Sequence, residues 1–326
     1  MKTKGWNIAG TVGALVLGIL LGYVVHDLGD GAHKIDYGRQ VREGGGTFTN
    51  PLLECEVASG TIDAPKSRFG RELSAYVEEV SKRYGITDIG VYYRDLNNGP
   101  TYGVGEDKEF APASLLKVPV YLAFLKHAET DSSIMSKQIT FDESMTLTSA
   151  TQIIESELRL HPGTTYTVAE LLTRMIKYSD NDALNVLYPL LPEREYTDLF
   201  KRLGLTDFSP ANASYTLSVR EYSTFFRVLF NASFLSQSSS EEALRALSET
   251  TFSSGIRAGV PQNIQVSHKF GERELGDGYM QLHDCGIVYP EKRPYLICIM
   301  TRGTNQDAIT EAISDISAFA YQKTIQ

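Results

Sequence analysis

Three short polar motifs, far apart along the chain, are set in apolar or alternating surroundings: Ser114-Leu115-Leu116-Lys117, Ser179-Asp180-Asn181 and Lys269-Phe270-Gly271. If they serve one site, the fold must bring two helical segments and a strand together around it, which few architectures do. The first motif follows Phe110-Ala111-Pro112-Ala113 and opens the apolar run Val118 to Leu125, the pattern of a buried helix start with proline in its first turn. Three residues make almost one helical turn, so Ser114 and Lys117 share a face and the amine reaches the hydroxyl. The positive end of the helix dipole favours negative charge growing on the serine oxygen. A serine alcohol becomes a good nucleophile only when a base takes its proton, and a lysine desolvated among apolar neighbours is such a base.

The second motif follows a segment of helical period, Thr167 to Ile176, that a threonine caps. Its serine hydroxyl can relay a proton to a leaving nitrogen, and its asparagine amide can hold a substrate carbonyl and the Lys117 amine. The third lies in Ile264 to Gly271, an alternating, β-branched run typical of a strand. Lys269 supplies a cation for a substrate carboxylate, Gly271 allows close approach of the strand edge, and the amides of Ser114 and Glu272 can form an oxyanion hole. Each motif also has a plain structural reading: a lysine beyond a capping serine, a polar cap for a helix beginning near Asp182, a solvated lysine on a strand. Their joint occurrence in this order favours the chemical one.

On these residues the chain, from about 65 to 326, resembles the class A β-lactamases and the related penicillin-binding proteins, whose signature is this trio. Thr167 to Ala183 is similar to that family's helix into its serine-aspartate-asparagine loop, and Arg257-Ala258-Gly259-Val260-Pro261 resembles its approach to the last motif. The resemblance implies an α/β (α+β) fold: an antiparallel five-stranded sheet flanked by helices, plus a mainly helical subdomain. It makes Ser114 the acylated nucleophile, Lys117 its base partner, Ser179 the proton shuttle, Asn181 a substrate clamp and Lys269 the carboxylate anchor. No cofactor or metal is implied. The implied substrate is a small β-lactam or related amide, with a peptidoglycan stem peptide ending in D-alanyl-D-alanine, or a slowly released adduct in a sensor, as alternatives.

Two departures from the family pattern stand out. Class A enzymes carry a glutamate in an omega-shaped loop after the second motif, which activates water to release the acylated serine; here Leu205 to Leu217 contains no glutamate. Asn212 in that stretch can orient a water but cannot take its proton, and Glu193 and Glu195 read as first-turn charges of a helix. Slow deacylation is the expectation. Phe270 stands where the family has a hydroxyl residue, and the missing hydrogen bond to a charged group is worth about 1.5–3 kcal/mol of binding. Nor is there an arginine on the following strand, where Gln281-Leu282-His283-Asp284 stands; His268 and His283 read as packed, hydrogen-bonded structure rather than as catalysts.

Trp6 to Val25 is apolar apart from Asn7 and Thr11, long enough to cross a bilayer, and follows Lys2 and Lys4. Residues 1–26 therefore read as a cytoplasmic tip and transmembrane signal anchor, with the catalytic domain outside the cell membrane. Ala14, Gly18 and Gly22 have the small-residue spacing that pairs membrane helices, a weak signal alone. Residues 27–64, with Gly44-Gly45-Gly46, read as a linker or stalk in which Asn50 to Cys55 docks on the domain, and 65–326 as the catalytic domain. A net charge of -9 argues against a nucleic-acid partner.

Lys66 to Tyr84 has a helical period with Phe69, Leu73, Val77 and Val80 on one face, and strands are expected at Ile89 to Asp95, Tyr279 to Tyr289 and Tyr295 to Met300. A final helix runs from about Asn305 to Gln322, and residues 112–250 are mainly helical. A turn centred on Glu291-Lys292 sets Cys285 opposite Cys298, as either a disulfide or two packed thiols. Cys55 has no assigned partner.

Overall fold

The two alternating runs near the C-terminus and the β-branched run before them form the long strands of a sheet that positions everything else. The computed structural model describes residues 40–55, 68–97, 99–146, 154, 156, 158–205 and 215–326. In chain order, β1 (Gln40–Arg42) and β2 (Leu52–Cys55) form a small antiparallel ladder, followed by α1 (Arg68–Tyr84), β3 (Asp88–Asp95) and β4 (Thr101–Val104). The middle of the chain is mainly helical. It holds β5 (Glu109–Phe110), α2 (Lys117–Ala128), β6 (Gln138–Thr140), β7 (Thr165–Thr167), α3 (Val168–Lys177), α4 (Asn181–Leu187) and α5 (Glu193–Arg202). It continues with β8 (Leu217–Ser218), α6 (Val219–Phe230) and α7 (Gln237–Ser248). The chain then returns to the sheet with β9 (Gln265–Gly276), β10 (Tyr279–Tyr289) and β11 (Tyr295–Gly303), and ends in α8 (Gln306–Ile325).

The sheet runs β4-β3-β11-β10-β9, antiparallel throughout, so the first and last thirds of the domain share one layer. Its period-2 alternation sorts side chains between two cores. On β11, Ile297 and Ile299 pack with Leu73, Val77 and Val80 of α1 and Ile309, Ile313 and Ile316 of α8. Leu296, Cys298 and Met300 pack with the helical region, including Phe225, Phe226 and Leu244. The expected α+β architecture is therefore present. Helix starts follow local chemistry: Thr167 with Glu170, and Ser218 with Glu221, each form a reciprocal capping box.

Cys285 and Cys298 are register partners on β10 and β11 and are joined by a disulfide, the first of the two readings these residues allowed. The apolar segment 6–25, most of the presumed linker, and Asn212 lie outside the described residues. Among the described residues no helix is long and apolar enough to cross a membrane.

Within the stretch 27–64, residues 40–55 are tied to the domain. Arg42 Nη1 donates to Asn231 Oδ1 at 3.0 Å, Asn50 N–H to the Phe230 carbonyl at 2.8 Å, and Phe48 packs edge-on against Tyr289. The Glu241 carboxylate of α7 accepts from the amides of Thr47, Phe48 and Thr49 and from Thr49 Oγ1, at 2.7–3.0 Å. One side chain thus organises a whole turn. Glu241→Ala is expected to remove about 2 kcal/mol or more of local stability; amide exchange at Thr47, Phe48 and Thr49 should accelerate by tenfold or more, while exchange in β10 and β11 stays unchanged.

Candidate active site

The turn that carries Ser114 is not the first turn of a long helix. Ala113–Leu116 is a 3-10 turn, and α2 begins only at Lys117, because Ala113 adopts a left-handed backbone (φ +50°) that breaks the α path after Pro112. The 3-10 geometry eclipses residues three apart, so Ser114 and Lys117 still face each other. Lys117 Nζ lies 2.9 Å from Ser114 Oγ. Two buried groups fix the turn: Tyr222 of α6 donates its hydroxyl to the Leu115 carbonyl at 2.9 Å, and His283 of β10 meets the Ala111 carbonyl at 3.1 Å through Nε2. The Thr301 amide donates to His283 Nδ1, which assigns the proton to Nε2, and burial lowers the pKa of this imidazole to about 4. His283 is therefore a neutral strut at physiological pH. His268 hydrogen-bonds Asp284 at 2.9 Å, both fully enclosed, and is structural in the same sense.

The second motif sits between α3 and α4. Asp180 caps α4, accepting from the amides of Asp182 and Ala183, so the motif is a helix cap and a chemical element at once. Ser179, in a left-handed conformation (φ +54°), aims both its carbonyl and its hydroxyl at Lys117, at 2.6 and 3.0 Å. Asn181 Oδ1 accepts from the same amine at 2.6 Å. Two non-glycine residues at positive φ flank the reacting groups, each costing on the order of 1–3 kcal/mol, so surrounding contacts must hold them there.

The third motif lies on β9, the edge strand. Lys269 Nζ donates to Ser179 Oγ at 2.9 Å and to the Phe270 carbonyl at 2.9 Å, and sits 4.1 Å over the Phe270 ring centre. Phe270 stacks on Phe252, so the aromatic that replaces a hydroxyl fills core space and offers Lys269 its ring face. Gly271 is where β9 touches the Ser114 turn: a Cβ there would lie 2.8 Å from both Leu115 N and the Pro112 carbonyl oxygen. An edge strand leaves alternate amides unpaired in the sheet, here beside the serine. Glu272 continues this edge, with Oε1 accepting from the Ile154 amide at 2.5 Å.

Lys117 and Lys269 are both 0% exposed, an unusual state for lysine. Burial pushes the Lys117 pKa down to about 7, against the pull of Asp180 and Glu272. Burial and then the charge of Lys117 hold Lys269 well below its ordinary value, while Asp284 and Glu272 act to raise it. The nearby Lys117 charge thus adds to burial in disfavouring the Lys269 ammonium. A neutral Lys117 amine has a lone pair for the Ser114 hydroxyl proton and two N–H bonds for the other acceptors. The fold thus brings Ser114, Lys117, Ser179, Asn181, Lys269, Gly271 and Glu272 into one locus. The Glu272 side chain was missed by sequence reasoning, which used only its amide; an acid three residues past a strand lysine was the available signal.

Glu195 is elsewhere. It pairs with His127 at 3.0 Å, and His127 stands ten residues beyond Lys117 on α2, about 15 Å along the helix axis at 1.5 Å per residue. Among the described residues no group of His, Cys, Asp and Glu is arranged to hold a metal ion.

A serine and a desolvated lysine, joined by a second serine and a second lysine in an α+β domain, define an active-site-serine amide hydrolase of the class A type. The chain belongs to the β-lactamase enzyme family, whose profile matches residues 72–324. It is 27% identical to β-lactamase CTX-M-4 of Salmonella typhimurium over 83% of this chain and 92% of that one. It is 28% identical to the carbapenem-hydrolysing β-lactamase KPC of Klebsiella oxytoca over 67% and 77%. A class A β-lactamase from Mycobacterium abscessus superposes with a TM-score of 0.67 at 22% identity, covering 78% of this chain and 100% of that one. The structure of PBP-A superposes at 0.65 with 23% identity over 77% and 95%.

Two outcomes follow. NMR of lysine side chains should show Lys117 titrating near 7, and Glu272→Gln, by removing a carboxylate that raises this pKa, should move the midpoint to lower pH; an upward move contradicts the assignment. Gly271→Ala should cost about 1–3 kcal/mol of thermal stability, since backbone atoms on the Ser114 turn must give way to the added methyl.

Proposed function

We propose that this protein is a membrane-anchored, extracytoplasmic serine hydrolase that opens a β-lactam or related cyclic amide through an acyl-enzyme on Ser114. The carrying observation is the contact of the buried Lys117 amine with Ser114 Oγ, at a pKa of about 7. In this reading Lys117 takes the Ser114 proton as Oγ attacks the carbonyl carbon, and the amides of Ser114 and Glu272 receive the oxyanion. Ser179, hydrogen-bonded to both lysines, passes a proton to the departing nitrogen, Asn181 holds the substrate's acyl amide, and Lys269 anchors its carboxylate. Attachment rests on the apolar run from Trp6 to Val25 and the lysines before it.

One observation favours a second reading. The stretch Leu205 to Leu217 holds no glutamate, and Glu195 is committed to His127, so release of the acyl group lacks the usual carboxylate base. The same acylation machinery then suits a D-alanyl-D-alanine peptidase of cell-wall stem peptides, or a sensor that stays acylated.

Full-length protein mixed with a chromogenic cephalosporin and with a fluorescent penicillin separates these readings. Rapid acylation, a stoichiometric burst and then slow turnover are expected. An adduct that persists without turnover moves the assignment to the sensor, and release of D-alanine from a stem pentapeptide moves it to the peptidase. Ser114→Ala should abolish adduct and turnover alike; activity in that variant would defeat every version.

A further inference from the structure

A second cavity of about 550 Å³ lies between β3, β4, α1 and α6, and no residue of the three motifs lines it. Its walls carry three arginines in different electrostatic states. Arg220 is neutralised by Glu106 at 2.6 Å and Asp107 at 2.8 Å. Glu221, the other wall acid, is committed to the Ser218 amide and hydroxyl at the start of α6. Arg94 of β3 donates to the Thr101 hydroxyl at 2.9 Å, and among the described residues neither Arg94 nor Arg227 of α6 makes an ion pair. Burial lowers the Arg227 pKa, Tyr92 opposes this, and the neighbouring Arg94 charge lowers it further. Two like charges thus share a partly dry cleft with no ion pair of their own among the described residues, the wall acids Glu106 and Glu221 being bonded to Arg220 and Ser218 instead, an arrangement that an entering anion would relieve.

We propose that this cleft is a binding site for a small, hydroxyl-rich oxyanion, a sugar carrying a phosphate or a carboxylate, whose anionic group lies between Arg94 and Arg227. Guanidinium forks match the paired oxygens of either group, which two isolated point charges would do less well. Tyr92, Thr101, Ser74 and Thr224 set hydroxyl-bearing side chains around the same space, as a polyol requires. The volume falls within the range of about 300–1,000 Å³ typical of small-molecule sites. The site is independent of Ser114 chemistry.

Calorimetric titration of the full-length chain in detergent with glucose 6-phosphate, glucuronate and glucose tests the site. Binding of either anion, none of glucose, and an affinity loss of about tenfold or more in Arg227→Gln and in Arg94→Gln are expected. The anion that binds tells phosphate from carboxylate recognition. Because each substitution removes one of two like charges, ligand-free melting temperatures should equal or exceed that of the parent; if one variant fails to fold, the other decides. Failure of both anions to bind, equal binding of glucose, or anion affinity unchanged by the substitutions would overturn the proposal.

Discussion

The Lys117 amine is the point through which the site is assembled. It lies within 2.6–3.0 Å of oxygens on Ser114, Ser179 and Asn181, which come from the 3-10 turn, the loop after α3 and the first residue of α4. An ammonium has three protons for these four acceptors. Losing one proton leaves two N–H bonds for the three remaining oxygens and a lone pair aimed at the Ser114 hydroxyl. Burial, which makes the charge expensive, is what makes that loss available near pH 7. Packing of α2 inside the helical region is therefore part of the chemistry, because the apolar residues Val118 to Leu125 carry the lysine into the dry interior.

Holding the site together requires strained backbone at Ala113 and Ser179, and the structure supplies the restraints from the sheet and from α6. His283 and Tyr222 grip carbonyls on either side of Ser114, while β9 presses against the same turn at Gly271. His283 can serve only because it stays uncharged, since burial at a fully enclosed position penalises the imidazolium. The two histidines that sequence placed next to the motifs thus contribute through geometry, with the proton chemistry left to lysine and serine.

Much of this was readable in the chain. The β10 to β11 register follows from alternation and one turn, which sets Cys285 opposite Cys298. Capping chemistry at Thr167 located one helix start. Motif order located the site. Three features escaped because they depend on tertiary contact: the 3-10 break ahead of α2, seen in the φ of a single alanine; the anchoring of residues 47–49, which rests on a glutamate almost two hundred residues away; and the field of Glu272 on both lysines. Local pattern carries no information about which distant carboxylate will stand beside a buried amine.

The edge of β9 also shows how acylation and substrate recognition separate in this fold. Acylation needs the Lys117 contacts, which Phe270 and Glu272 leave intact. Recognition of an anion needs positive charge and hydroxyl donors at the strand edge, and here both are reduced. Lys269 already donates to Ser179 and to the Phe270 carbonyl, the Phe270 ring replaces a hydroxyl, and Glu272 adds a negative charge to the same strand. An anionic substrate therefore loses about 1.5–3 kcal/mol at the missing donor, and further stabilisation to the nearby carboxylate. In the acyl-enzyme reading proposed above, selection leans on the acyl side of the scissile amide, the side assigned to Asn181, more than on the carboxylate side.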